Sequence, residues 1–112
     1  MRIKGLAAII GICALISFAG TQVMAAEDYT LRIKDHHFIP ETLEIPAGEK
    51  VRIVIVNEDP TPEEFESYEL NREKIIKGHG KGVVFVGPLN AGTYPFFGEF
   101  NMDTAKGQIV AK

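Results

Sequence analysis

The chain has 112 residues, with 12 lysines and arginines against 15 aspartates and glutamates, a net charge of −3. An acidic balance with no basic run excludes nucleic acid and anionic lipid as natural partners and suits cations or a basic protein. Three histidines, three methionines and one cysteine are the only imidazole and sulfur donors.

The chain opens with Arg2 and Lys4, then the apolar run "GLAAIIGICALISFAG" (Gly5 to Gly20) and the small residues of "TQVMAA". That is the layout of a secretory leader, too short and wrongly flanked for a membrane span, so residues 1–25 are expected to be removed on export. Cys13 lies inside this run behind Ile12 rather than a small residue, which speaks against a lipid anchor. Without the leader no cysteine remains, and disulfides, thiolate ligands and sulfur nucleophiles are excluded. Residues 26–112 keep ten basic against fifteen acidic side chains, a net charge of −5. About 86 residues suffice for one domain with one core.

Apolar residues then recur every second position. "YTLRIK" (Tyr29 to Lys34) puts Tyr29, Leu31 and Ile33 on one face, and "TLEI" (Thr42 to Ile45) is a shorter strand stopped by the "PAGE" turn. "VRIVIVN" (Val51 to Asn57) is β-branched and nearly continuous, as a strand buried on both faces would be. In "EFESYEL", Phe65 and Ser67 share one face, with Glu64, Glu66 and Tyr68 on the other. "NREKII" reads either as one helical turn capped by Asn71 or as a short edge strand. "VVFV" (Val83 to Val86), "GTYPFF" and "GQIVAK" complete the series. Short strands punctuated by Gly, Pro and Asn predict an all-β, antiparallel sandwich. Its core is expected from Leu31, Ile33, Phe38, Ile45, Val51, Ile53, Ile55, Phe65, Val84, Tyr94, Phe96 and Ile109.

"HHFIPETLEIPAGEKVRIVIVN" with "GTYPFF" and "KGQIV" resembles the opening and ending of the cupredoxins. The resemblance implies a Greek-key β-sandwich with its metal at one end, between the loop after Asn57 and the loop after Phe97. More narrowly, "TPEEFESYELNREKI" with "YPFFGEF" resembles the periplasmic cupredoxin-like component of bacterial ferrous-iron uptake systems. That likeness implies a periplasmic location, with an iron permease and a periplasmic iron-binding protein as partners.

The family's copper ligands fall, in this chain, on Glu63 for the first histidine, Gly98 for the cysteine and a position near Asn101 for the second histidine. Met102 lies close to the axial methionine but out of register. A blue-copper centre needs a thiolate and two imidazoles, so that chemistry is excluded.

The same end still collects donors. His36 belongs to the turn after the first strand; Glu63, Glu64 and Glu66 follow the central strand; Glu99, Met102 and Asp103 lie in the closing loop. Carboxylates with one imidazole favour oxygen-seeking cations, so the expected ion is iron, with a weak copper site as the alternative. Glu63 and Glu64 point to opposite faces once the strand begins, so one of them is expected to bind. His37 and His79 are expected at the surface. Arg72, Glu73 and Lys74 read either as a solvated charge cluster or as a docking patch.

The leading expectation is a binding and relay component that holds Fe(II) for delivery to a permease, with a ferroxidase-like oxidation of Fe(II) as its stronger form. The alternatives are a copper carrier and a metal-free docking module.

Overall fold

The structure, a computed structural model, describes residues 28–112. The leader expected at residues 1–25 lies outside them. The described residues form nine strands: β1 (Asp28–Lys34), β2 (His37–Ile39), β3 (Thr42–Ile45), β4 (Val51–Asn57), β5 (Glu63–Ser67), β6 (Arg72–Ile76), β7 (Lys81–Val86), β8 (Gly92–Gly98) and β9 (Lys106–Ala111). A 3-10 turn (Glu99–Asn101) joins the last two, and the described residues contain no α-helix.

The strands form one sheet in the order β2-β1-β4-β7 and a second in the order β3-β9-β8-β5-β6. The predicted sandwich is therefore present. Most ladders are antiparallel, but β1 runs parallel to β4 and β3 runs parallel to β9. "NREKII" resolves as β6, which lies at the edge of the second sheet. Its residues are exposed up to Ile76, and one packed face is all an edge strand needs.

Burial follows the pleat. Eleven of the twelve expected core residues are buried; Tyr94 is only partly covered, packing against the core with its hydroxyl donating to the Asn90 carbonyl at 2.8 Å. β4 differs from expectation, because Val51, Ile53 and Ile55 are buried while Arg52, Val54 and Val56 are half-exposed. A two-layer sandwich covers only one face of each sheet, and the β-branched outer row of β4 reflects strand preference as well as burial. "VVFV" behaves alike: Val84 and Val86 are buried and Phe85 is exposed.

Phe38 from the first sheet meets Phe65 and Phe96 from the second. Its ring lies edge-on to both, with centroids 6.1 and 5.0 Å away, and Phe65 and Phe96 are 5.1 Å apart. This trio lies directly under the end of the sandwich where the loops after β4 and β8 meet.

Candidate functional site

Three clusters form that end. The first is turn-centred. Asp35 and His36, both at positive φ (52° and 59°), make the two-residue connection between β1 and β2, whose last pair is Lys34 with His37. Asp59, buried in the loop after β4, receives the amides of Asp35 at 2.7 Å and His36 at 3.0 Å. The His36 ring stands 3.6 Å from the same carboxylate, and the amide of His79 donates to the Asp59 carbonyl. Burial pushes the Asp59 carboxyl upward, but the amides of His36 and Asp35 and the charges of His36 and His79 outweigh it and hold it below its ordinary value. The loop itself is tied down by Asn57, whose side chain donates to the carbonyls of Thr61, Ile76 and Lys77 and accepts from the amide of Asp59. His36 thus reaches the expected end, where its carbonyl accepts from the Thr104 hydroxyl of the closing loop. His37 is exposed, and its Nδ1 lies 2.8 Å from the Asp35 carbonyl.

The second cluster lies where β5 meets the turn after β8, at the positions that the cupredoxin resemblance aligns with copper ligands. Glu63 points inward and is only 1% exposed. Its carboxylate accepts from the Phe100 amide at 2.9 Å, the Asn101 side-chain amide at 2.7 Å and its neighbour's amide, Glu64, at 3.0 Å. Gly98 makes room for it. A Cβ on Gly98 would lie 2.6 Å from Glu63 Cδ, 2.8 Å from Glu63 Oε2 and 2.7 Å from Ala105 Cβ. The three family ligand positions therefore carry a carboxylate, a carboxamide and no side chain, and the carboxylate fills the space a cysteine sulfur would need. The residues present do not fit a copper–thiolate centre.

The third cluster faces outward. Cross-strand register sets Lys106 of β9 beside Phe97 of β8, Phe97 beside Glu66 of β5, and Glu66 beside Glu73 of β6. One step along, Glu64 hydrogen-bonds to Glu99, which raises its carboxyl to about 7; partial burial and the charges of Glu99, Glu73 and Glu66 add to this. Glu66 is raised as well, by burial first and then by Glu73 and Glu99. Tyr68 and Phe97 meet edge to face at 5.5 Å on the same surface.

Arg72 lines the same hollow as Glu66, Tyr68 and Glu73, and its guanidinium donates to the carbonyls of Phe85, Leu70 and Asn71. The Lys74 stem runs beside Gly82 of the other sheet. Of the expected Arg72–Glu73–Lys74 patch, Arg72 and Glu73 therefore border the carboxylate face and Lys74 turns toward the other sheet. Among the described residues the ion pairs are Arg32–Glu58, Arg52–Asp28, Lys112–Glu44 and His36–Asp59, none of them on this face.

Of the residues singled out in the sequence, Glu64, Glu66 and Glu99 are brought together, and Glu63 and Glu64 do face opposite ways. His36 stands with Asp59 instead. Met102 closes the 3-10 turn and is 55% exposed, and Asp103 is exposed beyond it. Among the described residues no group of three or more His, Cys, Asp or Glu is placed to hold a metal ion. Sequence reasoning missed Asp59 and the inward role of Glu63, and it grouped Glu73 with Arg72 and Lys74 rather than with the carboxylates of β5. The only signal for the last was a glycine and a glutamate at two positions the family fills with ligands.

The paired carboxylates imply a pH dependence. Glu64 binds its proton more tightly folded than unfolded, so stability falls as pH rises from its ordinary value of 4.5 to about 7. Asp59 acts oppositely: its contribution is present above its ordinary value of 3.8 and is lost on acidification below it. Thermal midpoints measured from about pH 4 to pH 8 are expected to fall toward the alkaline end, and the Glu64→Gln change is expected to flatten that limb. An unchanged slope in the variant counts against the Glu64–Glu99 proton.

A Greek-key sandwich with its loops converging on one such end is a cupredoxin-type protein. The family model of the Cupredoxin-like domain matches residues 6–111, and the chain belongs to that family. The uncharacterized protein RP394 of Rickettsia prowazekii (strain Madrid E) is 46% identical over 80 residues, 71% of this chain; the match spans 64% of that relative's length. Among solved structures, auracyanin A, a "blue" copper protein of Chloroflexus aurantiacus, superposes with a TM-score of 0.67 at 12% identity, over 79% of this chain and 100% of its own. Amicyanin from Paracoccus versutus gives 0.61 at 16%, covering 80% and 85%. A purple cupredoxin from Nitrosopumilus maritimus gives 0.59 at 18%, covering 76% and 100%. At these identities the likeness is one of fold.

Proposed function

We propose that this protein is a periplasmic component of ferrous-iron uptake that meets Fe(II) as passing cargo on the carboxylate face of its second sheet. One observation carries the reading. Glu64, Glu66, Glu73 and Glu99 crowd one surface with no ion-pair partner among the described residues, and two of them are driven toward protonation, Glu64 chiefly by Glu99 and Glu66 by burial and then by Glu73 and Glu99. A cation relieves that repulsion, and carboxylate oxygens suit Fe(II) better than Cu(I). Two carboxylates in contact leave most of an iron's coordination sphere to water, which favours release over storage. That matches delivery to a permease or exchange with a periplasmic iron-binding protein. Oxidation of Fe(II), each ion giving one electron to dissolved dioxygen as the external acceptor, is the stronger form of the proposal, since carboxylates stabilise Fe(III) over Fe(II) by charge.

A second reading, the metal-free docking module, is favoured by Tyr68 and Phe97 beside those carboxylates, a pairing that suits a lysine- or arginine-bearing partner. Titration of the leaderless, untagged protein with Mn(II), and anaerobically with Fe(II), separates the two. The iron reading expects saturable binding that weakens several-fold in Glu64→Gln and again as pH falls below about 6, where protons compete. Absence of binding by wild type leaves the docking reading, in which Tyr68→Ala and Glu66→Gln, not metal, alter capture of the permease.

A further inference from the structure

We infer that Glu63 performs the mechanical task that a metal performs in this fold: it clamps the turn after β8 to β5, so the metal end is finished by a carboxylate. The inference does not depend on the iron reading, because it concerns the interior side of β5 rather than its outer face.

In a metallated cupredoxin the ion ties the loop after the central strand to the closing loop. Here both ends of that tie belong to the chain. Glu63 opens β5, and both of its oxygens are used: one accepts the Phe100 and Glu64 amides, the other the Asn101 side chain. The clamped turn is closed on itself as well, since the Gly98 amide donates to the Ala105 carbonyl at 2.8 Å and the Ala105 amide to the Asn101 carbonyl at 2.9 Å. Thr104 then ties it to the β1–β2 turn through the His36 carbonyl.

A carboxylate that is 1% exposed requires such partners, because an unpaired buried charge is expensive and hydrogen bonds to a charged acceptor are the strong ones. The fit also explains Gly98. Its φ of −96° is open to any residue, so the requirement for glycine there is steric. The side chain it lacks is the one whose Cβ would strike Glu63. Glu63 is thus a positioning residue: it holds Phe100 and Asn101, and through them sets Glu99 beside Glu64.

The test uses the leaderless protein with backbone NMR. In a Glu64→Gln, Glu99→Gln background, which removes the outward cation face, added Zn(II) is expected to leave the Phe100, Asn101 and Ala105 amide resonances and the thermal midpoint in place. The Phe100 amide proton is expected downfield, as for a charged acceptor, and slow to exchange. Glu63→Ala is expected to speed that exchange about tenfold or more while the Ile53 amide keeps its rate. Glu63→Gln keeps one acceptor oxygen, and Asn101 can turn its amide to offer the complementary group. This variant is expected to stay folded, recover most of the protection and move the Phe100 proton upfield. Should Glu63→Ala not fold, the Glu63→Gln shift and the metal titration in the Glu64→Gln, Glu99→Gln background decide. The inference is overturned if metal shifts the three amides and raises the midpoint in that background, or if the Phe100 amide is indifferent to both substitutions.

Discussion

Restoring the cysteine, Gly98→Cys, is expected to lower stability by about 1–3 kcal/mol and to produce no intense visible copper–thiolate band with Cu(II). The backbone is not the obstacle, since Gly98 is extended. The obstacle is volume: the new Cβ would lie 2.6 Å from Glu63 Cδ and 2.7 Å from Ala105 Cβ, and β5 and the closing loop must separate to admit it. Nor does a thiolate suffice, because Glu63 and Asn101 stand where imidazoles are needed. Glu63 and Gly98 are coupled, so Glu63→Ala combined with Gly98→Cys should cost less than the two single changes added together. Urea unfolding of the four proteins of the cycle measures that coupling. Strict additivity would mean the two residues do not share the space. A strong visible band in the single variant would mean that other ligands reach the sulfur.

The sandwich was legible because it rests on alternation. Leu31, Ile33, Ile53, Ile55, Phe65 and Ile109 each sit on the face their spacing assigns, and every one is 0% exposed. The outer rows of β4 and β7 were harder, since valine serves a half-covered strand as well as a buried one. The site was legible only in part, and the reason is orientation. That Glu63 and Glu64 diverge follows from strand geometry, but which of them turns inward depends on where β5 begins. That is decided by the Asn57 knot, 2.8 Å from the Thr61 carbonyl, and by Phe65 as the first apolar anchor of the strand. A glutamate among apolar neighbours reads as a surface residue until its donors are seen, and two of those donors come from residues 100 and 101, far along the chain. Asp59 escaped notice for a similar reason, because its partners are backbone amides of the β1–β2 turn, which carry no side-chain signature.

Phe65→Ala is expected to be the most damaging single change in the core, at about 3–5 kcal/mol. Phe65 is 0% exposed, 5.1 Å from Phe96 and 6.1 Å from Phe38, and it pairs in register with Gly98. Truncation removes ring contacts to both sheets and opens a cavity directly beneath the Glu63 clamp, where neighbouring strands cannot collapse without breaking their ladders. Tyr68→Ala supplies the control. Three residues along the same chain segment, Tyr68 is 72% exposed and its ring meets that of Phe97 on the outer face, so its loss should stay within about 0.5 kcal/mol. Denaturant midpoints compare the pair directly. The same two variants also separate scaffold from surface. Phe65→Ala should weaken cation binding only insofar as the fold loosens, whereas Tyr68→Ala should leave cation binding and stability intact and change only contact with a protein partner. If Tyr68→Ala proves as destabilising as Phe65→Ala, the outer face is a second packed surface, and the carboxylates on it owe their raised proton affinity to burial rather than to one another.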